Sequence, residues 1–487
     1  MSLLVAGGRV VTPVDGGPVR DLGLLDVLID GNRIVAVGEV GGARAAAAGS
    51  CETIDATGCF VLPAALDLHV HLSAQASNGG EPNGFVDDFA MGTAAAAAGG
   101  VGTVGQMSFA EDGWTLSGAL NRDAAAAQRD ARVDVLLIPG LVTPTAEDVA
   151  AIPALARAGH PALKVVDPSF GGDPSLIEAA IAAAGRAGMI ALVHCENAAL
   201  IDAAGRRLIA SGRGGLEHFA QSRPVETEVS SVRWAVEVCR RTGTPMVLVH
   251  VSSAQALAVA ASARADGVPV FVETRPMYLH LTDEVFSRPQ PGRFTGMPAV
   301  RSARDVAALW QGIADGTVHT VASDHAPWRL ADKTDSGLTV ASARMGVADL
   351  QTWVGMLFSE GVLGGRFGIE TFVEVTSTNA ARLYGLAPAK GSVSVGADAD
   401  LMILDPLRHS VIDGAAQYSA AGYSVYDGMT VRGGVRACVV RGALAWSDTG
   451  VLAAPGHGQL VGRTSETGAL GRAVARGESG WSGLAPT

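Results

Sequence analysis

The chain has 487 residues, 36 basic against 48 acidic side chains, a formal net charge of −12 and a mean hydropathy of +0.28. That length accommodates a barrel with an accessory domain, and the acidic balance disfavours a nucleic-acid partner, which needs clustered cations. A membrane span is not expected, because no apolar run approaches the roughly 20 residues required.

The N-terminus, MSLLVAGGRVV, has no basic region followed by a long apolar stretch, so no signal peptide is expected and a cytoplasmic setting follows by default. Cys51, Cys59, Cys195, Cys239 and Cys438 form no CxxC pair and read as small hydrophobes in a reducing compartment. Residues 1–62 contain short β-branched runs, with Asp30-Gly31-Asn32 as a turn signal between two of them. Strands then alternate with alanine-rich helices. The predicted strands are 60–70, 101–107, 133–138, 162–166, 190–194, 246–251, 268–273 and 318–323. Helices are predicted over 85–98, 175–187, 227–241 and 254–265, closed by Gly99-Gly100, Gly188, Gly243 and Gly267.

Eight apolar strands alternating with helices predict a (β/α)8 barrel over 63–385. Residues 386–450 turn β-like again and are expected to join 1–62 in one small β-sandwich, into which the barrel is inserted. Residues 451–487 are rich in Gly, Ser and Ala and predict an extended arm, ordered only against a neighbouring subunit.

The chemistry lies where polar residues interrupt apolar strands. A parallel barrel strand should be almost uniformly apolar, and barrel active sites are built at the C-terminal strand ends. His69 and His71 stand two apart, so a strand points both rings to one side. His194 and His250 each follow an apolar run; singly, either could be a core histidine bonded to a backbone carbonyl. Lys164, in Ala-Leu-Lys-Val-Val, is a costly place for an ammonium. It either pairs with a carboxylate such as Asp167 or, as a neutral amine, adds CO2 to become a carbamate that can bridge two cations. Asp324, in Ser-Asp-His-Ala-Pro, can bind a metal and accept a proton. His325 should point elsewhere, either supporting the ligands from behind or serving packing.

In DLHVHL, LKVVD, LVHCEN, LVHVSSAQAL, VETRPMYLHL, ASDHAP, EVTSTNAARLYGL, KGSVSVGADADLMILDP and YSVYDGMTVRG, the chain resembles the cyclic amidohydrolases of the amidohydrolase superfamily. The later segments look more like the dihydropyrimidinase (hydantoinase) branch than like dihydroorotase, whose HxHxR arginine is replaced by Ser73. The resemblance implies two divalent metals, zinc by expectation. His69 and His71 would hold one, His194 and His250 the other. Carboxylated Lys164 would bridge them, and Asp324 would be a ligand and the catalytic base. It also implies that a metal-bridging hydroxide opens a cyclic amide to an N-carbamoyl amino acid, in a homo-oligomer (dimer or tetramer). Alternatives are an allantoinase-like or other ureide hydrolase on the same site and, in another class, a non-catalytic assembly homologue.

Three departures concern substrate. The family's tyrosine after the bridging lysine is absent, with Ser169 and Phe170 in that neighbourhood. Arg275 replaces a small residue, and Ala341-Ser342-Ala343-Arg344 stands where a ring-contacting asparagine is usual. Ser169, Arg275, Ser342 and Arg344 are therefore the candidate substrate-binding residues. Arg275 and Arg344 are either ordinary surface cations or ligands for an anionic or strongly polar substituent.

Overall fold

Alternating burial builds the first five strands, β1 (Ser2–Pro13), β2 (Val19–Asp30), β3 (Arg33–Glu39), β4 (Glu52–Asp55) and β5 (Phe60–Pro63). The barrel follows as β6 (Ala65–Val70), β7 (Val101–Phe109), β8 (Asp134–Leu141), β9 (Ala162–Val166), β10 (Ile190–His194), β11 (Met246–Leu248), β12 (Val270–Thr274) and β13 (Thr320–Val321). Then come β14 (Leu401–Val411), β15 (Thr430–Val440), β16 (Ala443–Ser447), β17 (Gly450–Val451) and β18 (Leu460–Val461). This computed structural model describes residues 2–41, 51–73, 84–110 and 114–463.

The expected fold class is borne out. Strands β6 to β13 lie in sequential order, all parallel, with helices between them. The seam between the last and first strands is closed partly by a side chain. Ser323 N donates to both Asp67 carboxylate oxygens at 3.1 and 3.2 Å, and His71 N donates to the His325 carbonyl at 2.8 Å. Burial raises the Asp67 carboxyl to about 7.

The N- and C-terminal segments join through β5 and β14, where Val61 faces Ile403 and Leu62 faces Met402. The resulting sheet runs β17-β16-β15-β14-β5-β1-β2-β3, with β4 on β1. Period-two alternation gives it two apolar faces. Val61, Leu401, Ile403 and Val439 close on Val5, Val10, Val27 and Ile29, whereas Leu62, Met402, Leu404 and Val440 join the barrel's own core. The sheet therefore shares one hydrophobic mass with the barrel.

Gly100, Gly188, Gly243 and Gly267 follow helices with φ of 78°, 75°, 65° and 82°. Gly100 is also constrained by space, since a Cβ there would stand 2.5 Å from the Met402 sulfur.

The predicted strand 60–70 is divided at Ala64 into β5 of the sheet and β6 of the barrel, and two further features depart from the sequence reading. Strands β11 and β13 are shorter than predicted, and His250 and Asp324 just beyond them take left-handed φ of 43° and 49°. The start of the C-terminal arm packs on its own barrel rather than needing a neighbour. β9 pairs with β8 only at Gly140 and Leu141, and β18 fills the open side at Val135 and Leu136. The rest of the expected arm, 464–487, lies outside the described residues.

Barrel and sheet are also tied by charge. Lys390 Nζ lies 2.5 Å from Asp134 and 3.1 Å from Asp398, and contacts Asp400 as well, so its ammonium fills the space among three carboxylates. Among the described residues no helix is long and apolar enough to cross a membrane.

Candidate metal centre and active-site pocket

Five barrel strands and the residues just past them bring the six predicted ligand residues to one cavity of about 320 Å³. His69 lies in β6 with His71 just past it, Lys164 is central in β9, and His194 ends β10. His250 and Asp324 follow β11 and β13 in their left-handed conformations. Such backbone costs of order 1–3 kcal/mol per residue and persists where the surroundings impose it, often at functional sites. Here it turns both side chains into the barrel mouth.

The ligand atoms converge in two groups. Asp324 Oδ1 lies 3.3 Å from His69 Nε2 and 3.2 Å from His71 Nε2, and the three atoms fall within 4.8 Å of one another. His194 Nδ1 faces His250 Nε2 at 2.8 Å. Lys164 Nζ reaches His69 Nε2 at 3.2 Å, while Asp167 accepts instead from Ser169 and Ser231, so the ordinary Lys164–Asp167 pair does not form. The buried His194 Nε2 and His250 Nδ1 have no hydrogen-bond partner among the described residues. Four imidazoles, a carboxylate and a lysine that burial brings down to about 8 form a donor set suited to divalent cations.

Groups behind the ligands set their states. His69 Nδ1 is hydrogen-bonded to Glu273 Oε1 at 2.7 Å, which directs Nε2 toward Lys164 and Asp324. Burial lowers His69 and His250 well below the usual imidazole range, with Lys164 and His194 respectively adding to it. Burial raises Glu273 to about 8 against the pull of Lys164. Burial opposes the Asp324 charge too, but Arg275 and the two imidazoles outweigh it and hold that carboxyl well below the ordinary range. Glu196 accepts from Arg223 at 2.7 Å and lies 3.4 Å from His194 Nε2.

Phe85, Phe109, Phe170, Met297 and Met345 make the cavity walls apolar. Phe170 meets the His194 ring edge-on, at 5.4 Å between centroids.

The four predicted substrate contacts fare differently. None of Ser169, Arg275, Ser342 and Arg344 is among the described residues that line the cavity. The Ser169 hydroxyl is taken up by Asp167 and by the backbone N–H of Ala198. Ser342 is exposed and bonds to Thr339. The Arg344 guanidinium stacks over Trp328 at 5.3 Å, while its carbonyl accepts from Lys333. Arg275 is neither a surface cation nor a wall residue: it is 1% exposed and donates to Asp324 Oδ2 at 2.9 Å. An anionic substituent would find that guanidinium already occupied.

Glu273 was missed by sequence reasoning, although an acid closing the apolar run Val-Phe-Val is the signal that marked His194. His325 turns away from the cavity, with Nε2 on Asp87 at 2.9 Å and Nδ1 accepting from Asp349 N.

Fold and site together define a barrel with a cluster of side chains, His69, His71 and Asp324, that could hold a metal ion. The amidohydrolase family model matches residues 60–445. The D-hydantoinase of Geobacillus stearothermophilus is 31% identical over 479 residues, covering 96% of this chain and 98% of that protein. Among solved structures, the dihydropyrimidinase of Brevibacillus agri superposes with a TM-score of 0.87 at 28% identity, covering 96% of this chain and 99% of that one. The L-hydantoinase (dihydropyrimidinase) of Arthrobacter aurescens gives 0.83 at 27% identity, with coverage of 95% and 99%. The chain belongs to the amidohydrolase family, among its cyclic amidohydrolases.

Proposed function

We propose that the pocket opens the ring amide of a hydantoin or dihydropyrimidine, giving an N-carbamoyl amino acid. The observation that carries this is the convergence of His69, His71, Lys164, His194, His250 and Asp324 on one apolar cavity. His69, His71 and Asp324 would hold one divalent cation and His194 and His250 a second, with a Lys164 carbamate between them. When bound, the cations would polarise the ring carbonyl and bring the pKa of water from about 15.7 toward about 7.

The chain's own groups do the rest. Asp324, ionised despite its burial, takes a proton as water adds to the carbonyl carbon. It returns that proton to the ring nitrogen as the C–N bond breaks. Glu273 keeps the His69 Nε2 lone pair turned inward. The phenylalanine and methionine walls exclude bulk water and receive the ring's substituent, which favours an apolar group there. Zinc as the metal, a homo-oligomer (dimer or tetramer) and a cytoplasmic setting complete the reading.

Protein purified without chelator should contain about two divalent ions per chain. In a panel of hydantoin, an aryl-substituted hydantoin, dihydrouracil, allantoin, dihydroorotate and small lactams, the aryl-substituted ring should be opened fastest and dihydroorotate slowest. Hydrolysis of none of them, or activity indifferent to strong chelators, would reject the reading. Asp324→Asn should lower kcat by roughly 10²–10⁴-fold, the usual contribution of a general base. A variant within about threefold of the parent, metals intact, would move the base elsewhere.

A further inference from the structure

Arg275 is the buried group that this mechanism leaves without a task. Its Nη1 donates to Asp324 Oδ2 at 2.9 Å and its Nη2 points to the Asp324 carbonyl at 3.5 Å, while Nε finds no partner among the described residues. The guanidinium lies 5.5 Å from the Tyr278 ring centre and beneath Gly296, where a Cβ would stand 3.4 Å from Nη1. It is thus held in place by packing, with Asp324 as its ion-pair partner among the described residues.

An aspartate's terminal torsion is broad and nearly two-fold, so its own rotamer preference does not decide which oxygen faces the two imidazoles. A second anchor does. With Oδ2 engaged by Arg275, Oδ1 alone faces His69 and His71, at 3.3 and 3.2 Å. The same contact braces residue 324 in its left-handed conformation, since the arginine reaches both its carboxylate and its carbonyl.

We propose that Arg275 is a positioning residue that fixes the Asp324 carboxylate, so that one chosen oxygen is presented to the metal and to the reacting water. This rests on the proposed role of Asp324. A lysine could supply the charge but not the planar fork that spans two acceptors.

The test uses the full-length holoenzyme and its cobalt(II)-substituted form, comparing Arg275→Met, Arg275→Lys and Asp324→Asn. For Arg275→Met we expect an altered cobalt visible spectrum and metal loss to chelator at least about tenfold faster, as for other groups that orient ligands. Its kcat should fall by roughly 10²-fold, the cost of a small misplacement of a reacting group, while KM changes far less. Millimolar guanidinium should restore part of the loss, and Arg275→Lys should fall between. A folded Arg275→Met with the parental cobalt spectrum, metal retention and kcat would overturn the proposal. Should Arg275→Met not fold, a parental spectrum and kcat in Arg275→Lys would overturn it equally. Asp324→Asn separates the two levels. If it loses activity while Arg275→Met behaves as the parent, only the positioning role fails. If Asp324→Asn is itself fully active, the proposed role of Asp324 falls, and this inference with it.

Discussion

Lys164→Ala protein should leave purification nearly free of metal and nearly inactive, while keeping the parental fold. Lys164 projects from the middle of β9, 3.2 Å from His69 Nε2 and facing the same cavity as His194 and His250. An ammonium among these donors would repel two dications. Burial brings it down to about 8, so a neutral amine that can add CO2 is accessible near physiological pH. The carbamate would then supply the anionic bridge that four imidazoles and one carboxylate lack. Even outer partners of metal ligands cost about 10–100-fold when removed, so loss of the bridge should exceed about 10²-fold in activity. Short carboxylic acids should restore part of it by occupying the vacated space.

A second measurement fixes the sign. At constant dissolved CO2, apo-protein given zinc should regain activity faster as the pH rises through about 8, because only the deprotonated amine adds CO2. A Lys164→Ala variant with a full metal complement and parental turnover would remove the bridge from the mechanism.

The polar cluster at the barrel mouth was legible because apolar barrel strands make any inward polar residue conspicuous. The backbone that aims its side chains was not. Nothing in Val-His-Val-Ser or Ala-Ser-Asp-His announces the left-handed φ of 43° and 49° at His250 and Asp324, which is imposed from the tertiary structure. Arg275 shows a different gap. Two residues beyond Glu273, it shares that residue's inward direction, yet a cation just past a strand end reads either as a surface cation or as a ligand for an anionic substituent until its anion is known. That anion, Asp324, is 49 residues away and belongs to the next barrel strand. The strand β18 escaped notice because its pairing uses the unfilled backbone of β8 rather than a pattern of side chains.

The largest stability loss is expected at Lys390. Its ammonium is buried against Asp134 on β8, Asp398, and Asp400 beside β14, and Asp134 and Asp400 also accept from the backbone of Gln459 and Arg441 at 2.8 and 2.7 Å. Burial opposes the Lys390 charge, but the three carboxylates outweigh it and raise its pKa above the usual lysine range. Lys390→Met fills comparable volume and leaves the buried Asp400 without its ion-pair partner, while Asp398 keeps Arg33 at 2.7 Å and Asp134 keeps Arg441 at 3.7 Å. Breaking a buried pair in this way costs roughly 3–5 kcal/mol, so the variant should unfold at markedly lower temperature and expose the barrel–sheet junction to protease.

The pH dependence distinguishes stranded charge from lost packing. Burial already raises the Asp400 carboxyl, and without Lys390 its folded-state pKa should stand further above the unfolded value of about 3.9. Between those two values the folded variant holds more protons than the unfolded chain, so its stability falls as pH rises through that window. The difference in denaturation midpoint between variant and parent should therefore narrow as pH is lowered from 8 toward 5. Adding Asp400→Asn to Lys390→Met should recover part of the loss, because it removes the stranded charge. A pH-independent deficit with no recovery in the double variant would mean that Lys390 acts through packing alone, and an unchanged midpoint would mean that the junction is held by its apolar face.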